Sequence, residues 1–182
     1  MAESPHPASW AALKARLLEQ GQGQLLELIH DLHDLSPANR RFLEARFLSS
    51  DGQLERYRSQ VEQAIYPDPL SKRPISVVAA KRAIREYERA TADPIGTLDL
   101  RLTFVEAGTA QAVDLAYGDD GYFSALELML GMVVEGLQRV PPDARDQFIT
   151  RLRRLRDSGG RLGWGYGDFV CQLLAGVLGG KQ

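Results

Sequence analysis

Hydrophobic residues recur along this chain at intervals of three and four positions, which is the spacing of one face of an α-helix. In the segment 22–35 the apolar stripe consists of Leu25, Leu28, Ile29, Leu32 and Leu35. No stretch of five or more residues alternates β-branched or aromatic residues with polar ones, as a half-buried β-strand requires. The pattern therefore predicts an all-α protein.

Proline, glycine and N-capping residues divide the pattern into eight or nine helices. The predicted helices span 10–20, 22–35, 37–49, 52–65, 75–91, 94–116, 122–139, 142–157 and 167–178. Asp51 and Asp93 are expected to cap the fourth and sixth of them. Because short connections force neighbouring helices to run antiparallel, we expect an irregular bundle or a short stack of antiparallel helical hairpins.

The helix predicted at 122–139 is apolar on nearly every face. Such a helix is typically covered by neighbours on several sides. We therefore expect it to be the central helix of the fold, with Leu126, Met129, Leu130 and Val133 almost fully buried.

The chain has 182 residues and a formal net charge of −2, both ordinary values for one globular domain. We expect a single helical domain over 1–182, with a subdomain junction at 67–74, where three prolines occur in eight residues. The first ten residues do not resemble a signal peptide, and no uninterrupted apolar stretch reaches the ~20 residues of a membrane span. With only one cysteine, these features predict a cytoplasmic location and no membrane partner.

Two short motifs are unusual. Residues 162–168 are Leu-Gly-Trp-Gly-Tyr-Gly-Asp, and residues 76–84 are Ser-Val-Val-Ala-Ala-Lys-Arg-Ala-Ile. Together with Tyr117-Gly118-Asp119 and the leucine-rich start, they resemble a family of uncharacterised bacterial all-helical proteins that carries a Gly-Trp-Gly-aromatic-x-Asp element before its last helix. The resemblance covers about 13–178 and implies a helical fold without catalytic residues. Where such a motif often has histidine, this sequence has Gly167.

A candidate metal site lies on the second predicted helix. Glu27, His30 and Asp34 are three and four residues apart, so they share one helix face. A Glu-x-x-His pair forms half of a di-iron carboxylate site in helical bundles, but the other half needs a second such pair, which the sequence lacks. The alternative is a solvated face opposite the leucine stripe. We expect no metal or other cofactor.

No arrangement typical of nucleophilic catalysis occurs, so we assign no catalytic residues. Cys171 is the one thiol and is expected to behave as a small core residue. The alternating glycines of 163–167 follow no strand, which disfavours phosphate binding. They instead predict a tight turn that docks Trp164 and Tyr166 on the bundle, with Asp168 capping the last helix.

Charge is unevenly distributed along the chain. Residues 93–135 hold eight acidic side chains and one basic, a net charge of −7, whereas 71–89 and 139–161 each carry a net charge of +4. Two basic helices favour nucleic-acid binding, because cationic side chains neutralise phosphates. The candidate contacts are Lys81, Arg82, Arg85, Arg89, Arg151 and Arg154. The alternative is that acidic and basic segments face each other or solvate the surface.

These observations favour a cytoplasmic helical protein-interaction or scaffold module with an unknown protein partner, rather than an enzyme. A nucleic-acid-binding protein that uses the basic helices 75–91 and 142–157 is the first alternative. A metal-dependent enzyme that uses the 27–34 face is the second. The sequence predicts neither the identity of the partner nor the oligomeric state.

Overall fold

The computed structural model describes residues 9–47, 52–163 and 165–179 of the chain. All regular secondary structure in this part is helical and it contains no β-strand, which confirms the predicted all-α class. Its nine helices are α1 (Trp10–Leu18), α2 (Gln22–Leu35), α3 (Pro37–Phe47), α4 (Gln53–Ile65), α5 (Val77–Thr91), α6 (Pro94–Leu115), α7 (Asp120–Leu137), α8 (Pro142–Gly159) and α9 (Tyr166–Leu178). The predicted cap Asp51 and the predicted helix end at 49 lie outside the described residues.

The chain divides into two compact units, Met1–Leu48 and Ser49–Gln182. The first contains α1 to α3, and the second contains α4 to α9. The segment 67–74, where the prolines predict a subdomain junction, lies inside the second unit between α4 and α5. These two helices pack against each other, so the proline-rich connector joins neighbours within one unit.

The first unit contains a helical hairpin. α2 and α3 pack against each other, and the Ser36 hydroxyl between them accepts a hydrogen bond from the Asn39 N–H at 3.1 Å. The Asn39 side-chain amide donates to the Leu32 carbonyl at 2.8 Å, which ties the end of α2 to the start of α3. None of the described side chains of 9–47 is buried.

The second unit is built around α6. This helix of 22 residues packs against α4, α5, α7 and α8. Its buried apolar side chains lie on nearly all sides of the helix and are Leu98, Leu100, Leu102, Phe104, Val105 and Ala112. At Gly108 a Cβ atom would overlap the Leu126 side chain, so glycine allows α7 to approach α6 closely.

The prediction that the helix 122–139 is central is wrong, because α6 takes that position. α7 packs mainly against α6 and α9, and Leu128 and Met132 on its outer side are 58 % and 39 % exposed. The opposite side is buried as predicted. Its members Leu126, Met129, Leu130 and Val133 are at most 6 % exposed.

The start of α6 is fixed by its cap, as predicted. The Asp93 carboxylate accepts hydrogen bonds from the N–H groups of Ile95 and Gly96, both at 3.0 Å, and Pro94 occupies the first helical position. The same carboxylate accepts a hydrogen bond from the Tyr87 hydroxyl at 2.7 Å. One side chain thus begins α6 and also holds the end of α5 against it.

The turn before α9 docks on the unit through Tyr166. This side chain is fully buried, and its hydroxyl lies 2.7 Å from the Thr109 hydroxyl on α6, which confirms the predicted docking of Tyr166. Gly165 has a φ of +77° and occupies the N-cap position, so the prediction that Asp168 caps the helix is wrong. Asp168 lies in the first turn instead. The predicted packing of Trp164 lies outside the described residues.

Candidate interaction surfaces

Three helices of the second unit meet at a cluster of ion pairs. Asp99 on α6 accepts hydrogen bonds from Arg58 on α4 at 2.8 and 3.1 Å, and from Arg151 on α8 at 2.5 Å. Arg151 also donates to both carboxylate oxygens of Glu106 and to the Thr103 hydroxyl. The Asp99 side chain is only 13 % exposed. The cluster therefore connects α4, α6 and α8 through largely shielded charges.

The charges in this cluster stabilise one another. Burial lowers the pKa of the Arg151 guanidinium, but hydrogen bonds and charges from Glu106 and Asp99 raise it by more, so its pKa lies above the ordinary value. The pKa of Arg58 is also raised, because Asp99 outweighs the effect of burial. Arg151, a predicted nucleic-acid contact, thus directs its charge towards α6. The acidic and basic segments of the sequence face each other at this point.

The predicted basic residues of α5 remain at the surface. Arg82 forms an ion pair with Glu86 on the same helix at 3.0 Å. Lys81, Arg85 and Arg89 are spaced four residues apart on one face, and within the described ranges none of these three has an ion-pair partner. Arg85 and Arg89 are exposed, and Lys81 is half-buried. This basic stripe of α5 is the part of the predicted nucleic-acid surface that stays intact.

Arg154 on α8 has a different environment. It is exposed and lines a groove of about 360 Å³ together with Glu106 and Asp114 of α6. α5 and α8 both pack against α6, but they have no substantial contact with each other. The six predicted nucleic-acid residues are therefore distributed over helix α5, the ion-pair cluster and an acidic groove.

The predicted metal face of α2 is exposed. His30 Nδ1 lies 3.9 Å from Asp34 Oδ2, and the His30 side chain is 75 % exposed. The nearer partner of Asp34 is His33, at 2.8 Å, and this hydrogen bond is the main reason why the pKa of Asp34 is lowered. Glu27 is exposed and forms no ion pair with His30 or hydrogen bond with Asp34 or His30. Across the described ranges, no group of three or more His, Cys, Asp or Glu side chains is arranged to hold a metal ion.

An apolar groove of about 360 Å³ lies between α2 and α3. Leu26 and Ile29 line its α2 side, and Leu43 and Phe47 line its α3 side, with His33 at the edge. Ile29 is 42 % exposed and Phe47 is 74 % exposed. The groove is therefore an open apolar depression rather than a closed core.

A second apolar surface on α2 adjoins this groove. Leu28, Leu32 and Leu35 follow one another at helical spacing and are 41 %, 42 % and 75 % exposed. These are the residues whose periodicity predicts the helix. The sequence pattern identifies this stripe correctly but does not predict whether it is exposed, because periodicity alone does not show what covers an apolar face.

The second unit has a groove of about 560 Å³ between the end of α5, the start of α6 and the end of α7. Two of its four charged residues, Arg101 and Glu88, form an ion pair with each other at 3.1 Å. Cys171 on α9 is exposed, which corrects the expectation of a core position. It does not line this groove.

Comparison of the chain with protein-family models, with curated proteins and with solved structures found no significant match. None of the helices in the described part is both long and apolar enough to cross a membrane.

Proposed function

We propose that this protein is a cytoplasmic helical protein-interaction module, and that it binds a protein partner through the apolar surfaces of the α2–α3 hairpin. One observation supports this proposal above all. None of the described side chains in 9–47 is buried, although this unit is rich in leucine. The α2 side chains that are between 41 % and 75 % exposed are Leu26, Leu28, Ile29, Leu32 and Leu35.

The energetic cost of this exposure supports a binding role. Burying a leucine side chain contributes about 1.5–3 kcal/mol relative to leaving it in water. Single exposed leucines are normal, but contiguous apolar patches on a soluble protein mark interaction sites. Here the exposed residues are contiguous on one helix and continue into the groove that Leu43 and Phe47 complete. A partner that covers both surfaces would supply the missing core.

The cytoplasmic location is supported by the single cysteine, which fits a reducing compartment. The resemblance of 162–168 to the Gly-Trp-Gly family stays a prediction. Membership of that family would imply a helical fold and no catalytic residues, so the proposed function does not depend on it.

Photo-crosslinking in the native cells tests the proposal. A photoreactive amino acid replaces Leu32 on the exposed face of α2 in the full chain, and a matched protein carries it at Leu70, which is 89 % exposed in the second unit. We expect the photoreactive residue at position 32 to crosslink to one defined protein, and the residue at position 70 to give no crosslink to that protein. Crosslinks that are absent at position 32, or equal at both positions, would contradict an interaction surface on α2.

A second candidate function is nucleic-acid binding by the α5 stripe. It is favoured by the absence of an ion-pair partner for Lys81, Arg85 and Arg89 in the described part of the chain. If it operates, the charge reversals Arg85→Glu and Arg89→Glu abolish a gel shift that weakens steeply with salt, whereas the control Arg153→Glu on α8 changes it little. A wild-type protein that shifts no DNA or RNA at low salt eliminates this candidate.

A further inference from the structure

Building on the proposed function, we propose that the partner of the α2–α3 hairpin is a second copy of this chain. Two hairpins, related by a two-fold axis, would pack into a four-helix bundle in which each α2 lies against the α3 of the other copy. The bundle core would consist of the apolar residues that one copy alone leaves exposed.

The size of the first unit requires outside support. The first unit comprises Met1–Leu48, and the core of a unit below about 70–80 residues rarely supplies more than about 3–5 kcal/mol without disulfides, metals or oligomerisation. Residues 9–47 contain no cysteine, and none of their described side chains is buried. Oligomerisation would stabilise this unit by burying what it does contain, namely the exposed leucines of α2.

The apolar arc of α2 is wider than one neighbour covers. At 100° per residue, the line Leu28, Leu32 and Leu35 and the line Leu26 and Ile29 lie on different sides of the helix. The second line contributes to the groove shared with α3, whereas the side chains of the first line lie beside that groove and do not line it. In a four-helix bundle each helix contacts two neighbours, so an arc of this width is what the geometry needs.

Charge complementarity favours a second copy over an unrelated partner. α2 carries three acidic residues, Glu27, Asp31 and Asp34, and no lysine or arginine. α3 carries three arginines against one glutamate. Within one hairpin Arg40 of α3 already lies 3.6 Å from the Asp34 carboxylate of α2, so the two helix surfaces are complementary in charge. In a two-fold arrangement the surfaces of α2 and α3 meet each other twice, because such an interface is self-complementary. An acidic helix would then face a basic helix at both contacts, and α2 would not face its own copy.

Sedimentation velocity of the purified full chain, over a range of concentrations, tests the proposal. We expect a reversible dimer. Leu28→Asp together with Leu32→Asp should raise the dimer dissociation constant at least about tenfold per leucine. The matched control is Leu128→Asp, which changes a leucine that is 58 % exposed on α7 of the second unit and should leave the dimer intact. A wild-type chain that is monomeric at all concentrations overturns the proposal.

A pair of charge-reversal variants, one on each helix, distinguishes loss of self-association from loss of folding. Asp31→Lys on α2 and Arg46→Glu on α3 should each weaken self-association, because each places like charges at both contacts. Mixing the two variants should restore association, since one of the two contacts in the mixed dimer then joins lysine to glutamate. Circular dichroism of each variant confirms that its helices form. Variants that are folded but show no recovery on mixing contradict the pairing of α2 with α3.

The outcomes separate this proposal from the proposed function. A monomeric wild-type chain whose position 32 crosslinks to another protein in cells overturns the dimer and retains the interaction module. A monomeric chain without such crosslinks overturns both. A dimer that survives the α2 leucine substitutions but not substitutions elsewhere overturns the assignment to this hairpin.

Discussion

Replacing Asp99 with asparagine should destabilise the second unit, because this carboxylate joins α4 and α8 to α6. Its Oδ2 accepts two hydrogen bonds from Arg58, and its Oδ1 accepts one from Arg151. Asparagine has nearly the same shape but only one acceptor oxygen. Its amide N–H groups would point at one of the two guanidinium groups, so at least one arginine loses its hydrogen bonds at this position.

The magnitude follows from the exposure of the partners. Breaking a fully buried ion pair costs about 3–5 kcal/mol, whereas an exposed pair contributes about 0–1 kcal/mol. The Asp99 side chain is 13 % exposed, and those of Arg58 and Arg151 are 31 % and 24 % exposed, which places the cluster between these limits. We expect a loss of about 2 kcal/mol in the free energy of unfolding, and a decrease of about 4–8 °C in Tm.

Thermal melts and urea titrations followed by circular dichroism measure this change. The control is Asp146→Asn, because Asp146 is exposed on α8 and its side chain forms no hydrogen bond or ion pair with the part of the chain that the structure describes, so its effect should stay within about 0.5 kcal/mol. A double-mutant cycle of Asp99→Asn with Arg58→Met should be non-additive, since both changes remove the same contact. If Asp99→Asn melts like the control, the cluster does not hold the three helices together.

Three further substitutions test the packing and capping of the second unit. Leu130→Ala should lower the free energy of unfolding by about 2–5 kcal/mol in urea titrations, because the side chain is fully buried, and a loss below about 1 kcal/mol would contradict its core position. Ala116→Gly should raise stability by about 1 kcal/mol, since Ala116 caps α6 at a φ of +48° that favours glycine, and a lower Tm would refute the strain. Burial raises the pKa of Tyr166 to about 12. The unfolded chain therefore loses the hydroxyl proton at a lower pH than the folded chain, and the free energy of unfolding falls as the pH rises from about 10 to about 12. Tyr166→Phe should flatten that decline in melts measured across this pH range, and an unchanged slope would contradict the prediction.

The helices of this protein are predictable because their signals are local. The Asp93-Pro94 pair begins α6 through bonds to the next two or three residues, and α2 matches its predicted range of 22–35. The all-α class follows from the same periodicity. Such contacts depend on neighbours in the sequence, and a single sequence displays them directly.

The identity of the central helix is not predictable in this way, because charge pairing over long distances decides it. α6 contains Asp99 and Glu106, which in the sequence resemble solvent-facing residues. Their partners Arg58 and Arg151 are 41 to 52 residues away. Once paired, these charges allow α6 to occupy the centre, and the more apolar α7 lies with Leu128 at the surface.

The two units therefore use hydrophobic residues and charges differently. In the second unit the acidic segment and the arginines of α4 and α8 neutralise each other across α6, while apolar side chains from several helices cover its faces. Its stability arises from contacts within the unit. In the first unit the acidic helix and the basic helix remain next to an apolar surface that no described side chain buries. Because exposed apolar surface bordered by opposite charges is what a self-complementary interface requires, the same physical forces that fold the second unit would act between copies at the first.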